Sequence, residues 1–175
     1  MTAKATAKNL QQDIAAWDGK SVDVITDVYR RYSTEDRFLA DLVGFLKNES
    51  VQRGASWLLK HALEDGKQLD GRMTGSLFGH LSGLTYWETR LHVLQCLSCL
   101  KISQARLPQV ESFLRRCLED NNKFVRAWAY NGFDVLARQY PQYREEADSF
   151  FAMAMRDEAA SVKARIRQIQ KASLR

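Results

Sequence analysis

The chain has 175 residues, 45% of them hydrophobic, with 26 Lys and Arg against 21 Asp and Glu, a formal net charge of +5 and a pI near 9.2. That is enough apolar material for one domain with its own core. No window approaches the roughly 18 uninterrupted apolar residues of a membrane span, and the opening MTAKATAKNLQQD lacks the apolar stretch of a signal peptide, so a soluble, cytoplasmic protein without a membrane partner is expected.

Three cysteines, Cys96, Cys99 and Cys117, are an odd number in a chain without export signals, which argues against a disulfide framework. Two prolines and nine glycines give little punctuation and favour long helices over many short strands.

Residues 1–8 carry no apolar periodicity and are expected to be a disordered tail. A short helix is predicted from Leu10 to Trp17, ended by Asp18-Gly19. Ser21 then opens a second helix with Val22, Ile25, Val28 and Tyr29 on one face, and with Arg30 and Arg31 near its C-terminus, where the helix dipole favours cations. Residues 9–34 read as an N-terminal pair of capping helices on a single domain covering 9–175.

Four copies of one pattern follow, over 35–66, 69–101, 107–139 and 142–175. Each opens with two adjacent positions repeated four residues later: Phe38-Leu39 with Leu42-Val43, Leu77-Phe78 with Leu81-Ser82, Phe113-Leu114 with Cys117-Leu118, and Phe150-Phe151 with Ala154-Met155. This spacing makes one buried helix face; we call these the A helices. After a turn comes a B helix keyed on a β-branched residue, Val51, Thr89, Val125 or Val162, and these keys recur 38, 36 and 37 residues apart. Ala55, Val93, Ala129 and Ile166 lie four positions on. Leu58, Cys96, Gly132 and Ile169 lie seven on. Both sets fall on the face of the key. The last two copies align without a gap, Val110–Val125 mapping onto Ala147–Val162.

A period near 37 with two helices per period is what an α-solenoid needs, because one hairpin cannot bury its apolar face and a stack can. From residue 35 onward the chain resembles the HEAT-like repeat proteins, which place an Asp in the turn and an Arg or Lys directly after the B-helix valine. Here Asp120 precedes Val125-Arg126, and Asp157 precedes Val162-Lys163. The resemblance implies an all-α fold, a right-handed α-α superhelix of about four hairpins, with Asp120, Arg126, Asp157 and Lys163 as a structural ladder. The first two copies depart from it: Leu46 and Leu84 stand at the Asp position, and Gln52 replaces the first base.

Net positive charge is concentrated in the B helices and net negative charge in the A helices. In proteins resembling HEAT repeats the B helices line the concave surface, so the resemblance implies a basic groove. Arg53, Lys60, Arg90, Arg165, Arg167 and Lys171 are its candidate contacts to phosphates or to an acidic peptide. The competing reading is that such bases serve the ladder or a solvated terminal helix.

Offsets 3, 6 and 10 from each key form a flank beside the core face. It carries Trp57, His61, His92, Gln95, Cys99, Trp128, Asn131, Arg165 and Gln168, aromatic and amide side chains that suit a partner surface. Against this, Trp57 and Trp128 can be packed internally with their indole N–H satisfied. His92, Cys96 and Cys99 have metal-compatible spacing, but Cys96 occupies a core offset, so no metal site and no cofactor are expected.

The sequence shows no glycine-rich phosphate loop, nucleophile elbow or paired-carboxylate motif. A weaker, architectural similarity links the chain to HEAT-like alkylpurine DNA glycosylases, for which Glu88 in Thr85-Tyr86-Trp87-Glu88 is the nearest acid, although a helix-start carboxylate is also expected from the dipole. The expected function is a non-catalytic scaffold binding a protein or peptide partner, an acidic one included, with nucleic acid as the alternative.

Overall fold

A computed structural model describes residues 3–173, among which there are ten α-helices and no strand. The capping pair is α1 (Ala3–Ala15) and α2 (Val22–Tyr32). The A helices are α3 (Phe38–Phe45), α5 (Gly71–Gly79), α7 (Leu107–Leu118) and α9 (Arg144–Asp157). The B helices are α4 (Glu49–Glu64), α6 (Trp87–Cys96), α8 (Lys123–Gln139) and α10 (Ala160–Ser173). The chain divides into two compact units, Met1–His92 and Val93–Arg175, with the division inside α6.

The expected disordered tail is corrected for residues 3–8, which form the first turns of α1. Their Ala-Lys-Ala-Thr-Ala-Lys sequence has no apolar period, but alanine and lysine are strong helix formers. Leu10 and Ile14, one turn apart, are buried and hold the helix down. Residues 1–2 lie outside the described residues.

In unit one, α4 is the central helix, packed by α1, α2 and α3, and α3 also meets α5. Gly54 lets α1 approach α4 closely: a Cβ there would stand 2.6 Å from Ile14 Cγ2 and 3.3 Å from the Trp17 ring. Helix starts follow side-chain capping. Ser21, Asn48 and Asp70 accept from the backbone N–H groups of Val24, Ser50 and Met73, satisfying donors that the helix leaves open.

In unit two, α8 plays the same part, packed by α7, α9 and α10 and opened by the Asn122 cap. Its Asp134 is fully buried yet paired to Arg138 and Arg144, so the charge is compensated where it is desolvated. The linker between α6 and α7 is held by Gln139, whose Oε1 accepts from Ile102 N at 2.8 Å while its Nε2 donates to Leu100 O at 2.9 Å. Tyr140 OH donates to Ile102 O at 2.7 Å.

The predicted core positions, the keys and the residues four and seven on, are buried in all four B helices: Val51, Ala55 and Leu58; Thr89, Val93 and Cys96; Val125, Ala129 and Gly132; Val162, Ile166 and Ile169. Thr89 at the second key sits in the core with an unpaired hydroxyl.

Candidate partner-binding surface

The residue after each key has a main-chain task that recurs. Gln52 Nε2 donates to Leu46 O at 2.8 Å, Arg90 Nη1 to Leu84 O at 3.3 Å, and Arg126 Nη1 to Asp120 O at 2.8 Å, in each case six residues back. The helix C-terminus preceding each turn leaves carbonyls without intrahelical donors, and a long side chain from the next helix reaches them. Lys163 does the equivalent one residue further back, on Arg156 O at 2.9 Å.

The ladder base Arg126 engages the neighbouring turns: it meets the Asp120 backbone carbonyl and pairs with the Glu158 carboxylate, while Asp157 is exposed. Gln52 fills the place of the missing base with one amide. It donates to Leu46 O and Gly83 O and accepts from Thr85 N at 2.8 Å, so the first departure from the pattern is a substitution of chemistry and not a loss of the tie.

This accounts for half of the proposed basic groove. Arg90 holds Leu84 O and Thr85 O. Arg53 Nη2 donates to Gly19 O at 3.2 Å and lies 3.5 Å from Glu88, and the guanidinium carbon sits over the Tyr86 ring, 5.5 Å from its centroid. Lys60 pairs with Glu64 at 2.7 Å. Glu88 is thus the counter-ion of Arg53. By contrast Arg167 and Lys171 on α10 are exposed and have no partner among the described residues.

The flank divides in the same way. Trp57 stacks on His61 with ring centroids 5.0 Å apart, and His61 meets Tyr29 edge-on at 4.6 Å, so this pair belongs to the packing of α2 on α4. His92 Nδ1 lies 2.9 Å from Ser56 Oγ. Burial pushes the His92 imidazole down to about 4, and Lys60 and Arg53 add to the effect. Gln95 is half-buried and Cys99 exposed, and among the described residues no His, Cys, Asp and Glu group is placed to hold a metal. None of the three cysteines is in a disulfide.

At the other end of the flank the Arg165 guanidinium carbon lies 4.0 Å from the Trp128 ring centroid. Both side chains are half-buried, and Arg165 has no carboxylate partner among the described residues. Burial alone lowers its pKa from the ordinary arginine value. Asn131, one turn beyond Trp128, is half-buried with its amide unpaired among the described residues, and Gln168, one turn beyond Arg165, is exposed. The indole N–H of Trp128 likewise has no acceptor among the described residues, whereas that of Trp17 donates to Ser21 O at 2.8 Å. Sequence reasoning found these residues. It missed Ser161, one turn before Arg165 on α10, whose Oγ is buried without a partner.

No family model matches this chain, and no curated protein or solved structure matches it significantly. No helix of the described residues is long and apolar enough to cross a membrane.

Proposed function

We propose that the chain is a non-catalytic helical-repeat module of the α-solenoid kind, and that the α8/α10 flank is where it receives a partner protein or peptide. The observation that carries this reading is the Trp128–Arg165 stack. A rigid aromatic and a guanidinium are the side chains most enriched where binding energy concentrates, and here neither has a hydrogen-bond partner among the described residues. In unit one the Arg53 guanidinium already holds a carbonyl and a carboxylate through Nη2, and Trp57 stacks on His61, which favours the α8/α10 flank as the candidate surface. The recurring six-residue main-chain tie after each key supports the repeat reading, since it marks the same place in successive hairpins.

A photo-crosslinking residue at exposed Gln168, compared with one at exposed Ser112 on α7, tests the surface. The expected result is a partner adduct from position 168 alone, competed by excess wild-type chain and not by the W128A/R165A double variant. Equal adducts from both positions, or equal competition by the variant, would sink the reading.

A second reading has its own observation. Arg167 and Lys171 are exposed and, among the described residues, unpaired on α10, as a phosphate-binding stripe would be. Nucleic-acid affinity would then fall steeply with salt, by a log-log slope that tracks the phosphates neutralised. Failure to shift duplex or single-stranded DNA or RNA at low salt would remove it.

A further inference from the structure

Within unit two the arginines on α7, α8 and α9 that meet neighbouring helices hold carboxylates. Arg115 takes Glu111 and Glu146, Arg126 takes Glu158, and Arg138 and Arg144 share Asp134. Arg165 is half-buried on α10 and takes none among the described residues. A guanidinium removed in part from water without an anion is left uncompensated, and the binding of a carboxylate would supply what its neighbours already have.

We infer that the Trp128–Arg165 pair is a carboxylate subsite that takes one Asp or Glu side chain of an acidic peptide segment. This rests on the reading of the α8/α10 flank as the partner surface. The guanidinium carbon lies over the indole at 4.0 Å, and a guanidinium lying flat on the ring would keep its in-plane N–H fork available for both oxygens of one carboxylate. Asn131 and Gln168 add unpaired amides one turn away, able to take up the peptide backbone beside the acid, and the Ser161 hydroxyl without a partner lies on the same α10 face.

Charge decides between a carboxylate and a nucleic-acid track. Arg167 and Lys171 lie roughly 160° and 120° around α10 from Arg165 by helical geometry. Arg126 is neutralised by Glu158, and Lys163 is turned to Arg156 O. Among the described residues one cation without a counter-ion, Arg165, therefore serves this site. A nucleic-acid backbone needs a row of cations, whereas one carboxylate needs a single fork.

The test is titration of the full chain, with the Arg165 Nε–Hε resonance followed by NMR and assigned by its loss in R165K. The probes are a capped peptide of alternating Leu and Glu, the same peptide with Gln for Glu, inorganic phosphate, and a single-stranded oligonucleotide. The expected result is a saturating shift with the Glu peptide alone. R165K, which keeps the charge but loses the fork, should weaken that peptide by about tenfold or more with an unchanged melting temperature. An equal shift with the Gln peptide or phosphate, retained affinity in R165K, or a shift only with the oligonucleotide would each overturn the inference. If no probe shifts the resonance, the carboxylate assignment falls. The Gln168 cross-link then reports separately on the surface: competition by wild type and not by W128A/R165A leaves that reading standing.

Discussion

Arg126 on α8 places Nε and Nη2 on the two carboxylate oxygens of Glu158, at 2.8 and 3.0 Å, while its Nη1 holds the Asp120 carbonyl at 2.8 Å. One guanidinium thus closes the turn before its own helix and reaches the turn after the next A helix. The bidentate bond holds the Glu158 carboxyl below the usual carboxylate range.

Glu158→Gln removes the charge and keeps the shape, so we expect a loss of about 2 kcal/mol at neutral pH by urea denaturation. Because the folded pKa is depressed, this contribution is present above the ordinary carboxylate pKa and is lost as pH falls through the lower folded value. The gap between wild type and variant should therefore close in acid. A gap independent of pH would mean the ion pair is not its source.

Gln52 is buried and makes three bonds with one amide, two donated and one accepted. Gln52→Ala would leave main-chain groups without partners, at a cost of about 3 kcal/mol. Gln52→Arg restores donors to Leu46 O but cannot accept from Thr85 N. It is expected to recover only part of that loss, measured as the denaturation midpoint; full recovery would mean the acceptor half of the amide is idle.

His92 is mostly buried, neutral, and pushed down to about 4 by burial, with Lys60 and Arg53 opposing its charge further. In the unfolded chain it titrates near 6.5. The unfolded state therefore binds the extra proton first: stability is complete above 6.5 and declines as pH falls toward 4. From this group alone the loss between pH 7 and pH 5 is about 2 kcal/mol. His92→Gln should flatten the stability profile over that window, and an unchanged slope would assign it to other groups.

Gly132 stands at a core offset of α8, where a Cβ would run into Leu114 and come within 3.2 Å of Leu97 Cδ1. Alanine normally gains about 1 kcal/mol over glycine inside a helix. Here overpacking of 1–3 kcal/mol opposes that gain, so Gly132→Ala should lower the melting temperature. A rise would show that Leu114 yields freely.

The core face was legible because it depends on short-range spacing. Once Val51, Thr89, Val125 and Val162 were aligned, the residues four and seven positions on were fixed by helix geometry, and they are buried. The start of α1 was not legible, because Lys4 to Lys8 owe their helix to propensity rather than to an apolar stripe. For the candidate site the limit was different. Sequence gives the sign of Arg53, Arg90 and Arg165 alike, but whether a carbonyl or a carboxylate already takes each guanidinium depends on residues tens of positions away or on backbone groups that carry no letter. Glu158 was passed over for the same reason, since the family pattern draws attention to its neighbour Asp157.

The clamp that Gln139 and Tyr140 place on the linker has a kinetic meaning. Ile102 lies outside every helix, yet its N–H is bonded to a side-chain oxygen and the residue is 3% exposed. Amide hydrogen exchange there should be governed by opening of the α8 C-terminus instead of by the fraying ordinary in a loop. A protease probing the 100–106 segment would meet a chain that must first let go of a helix.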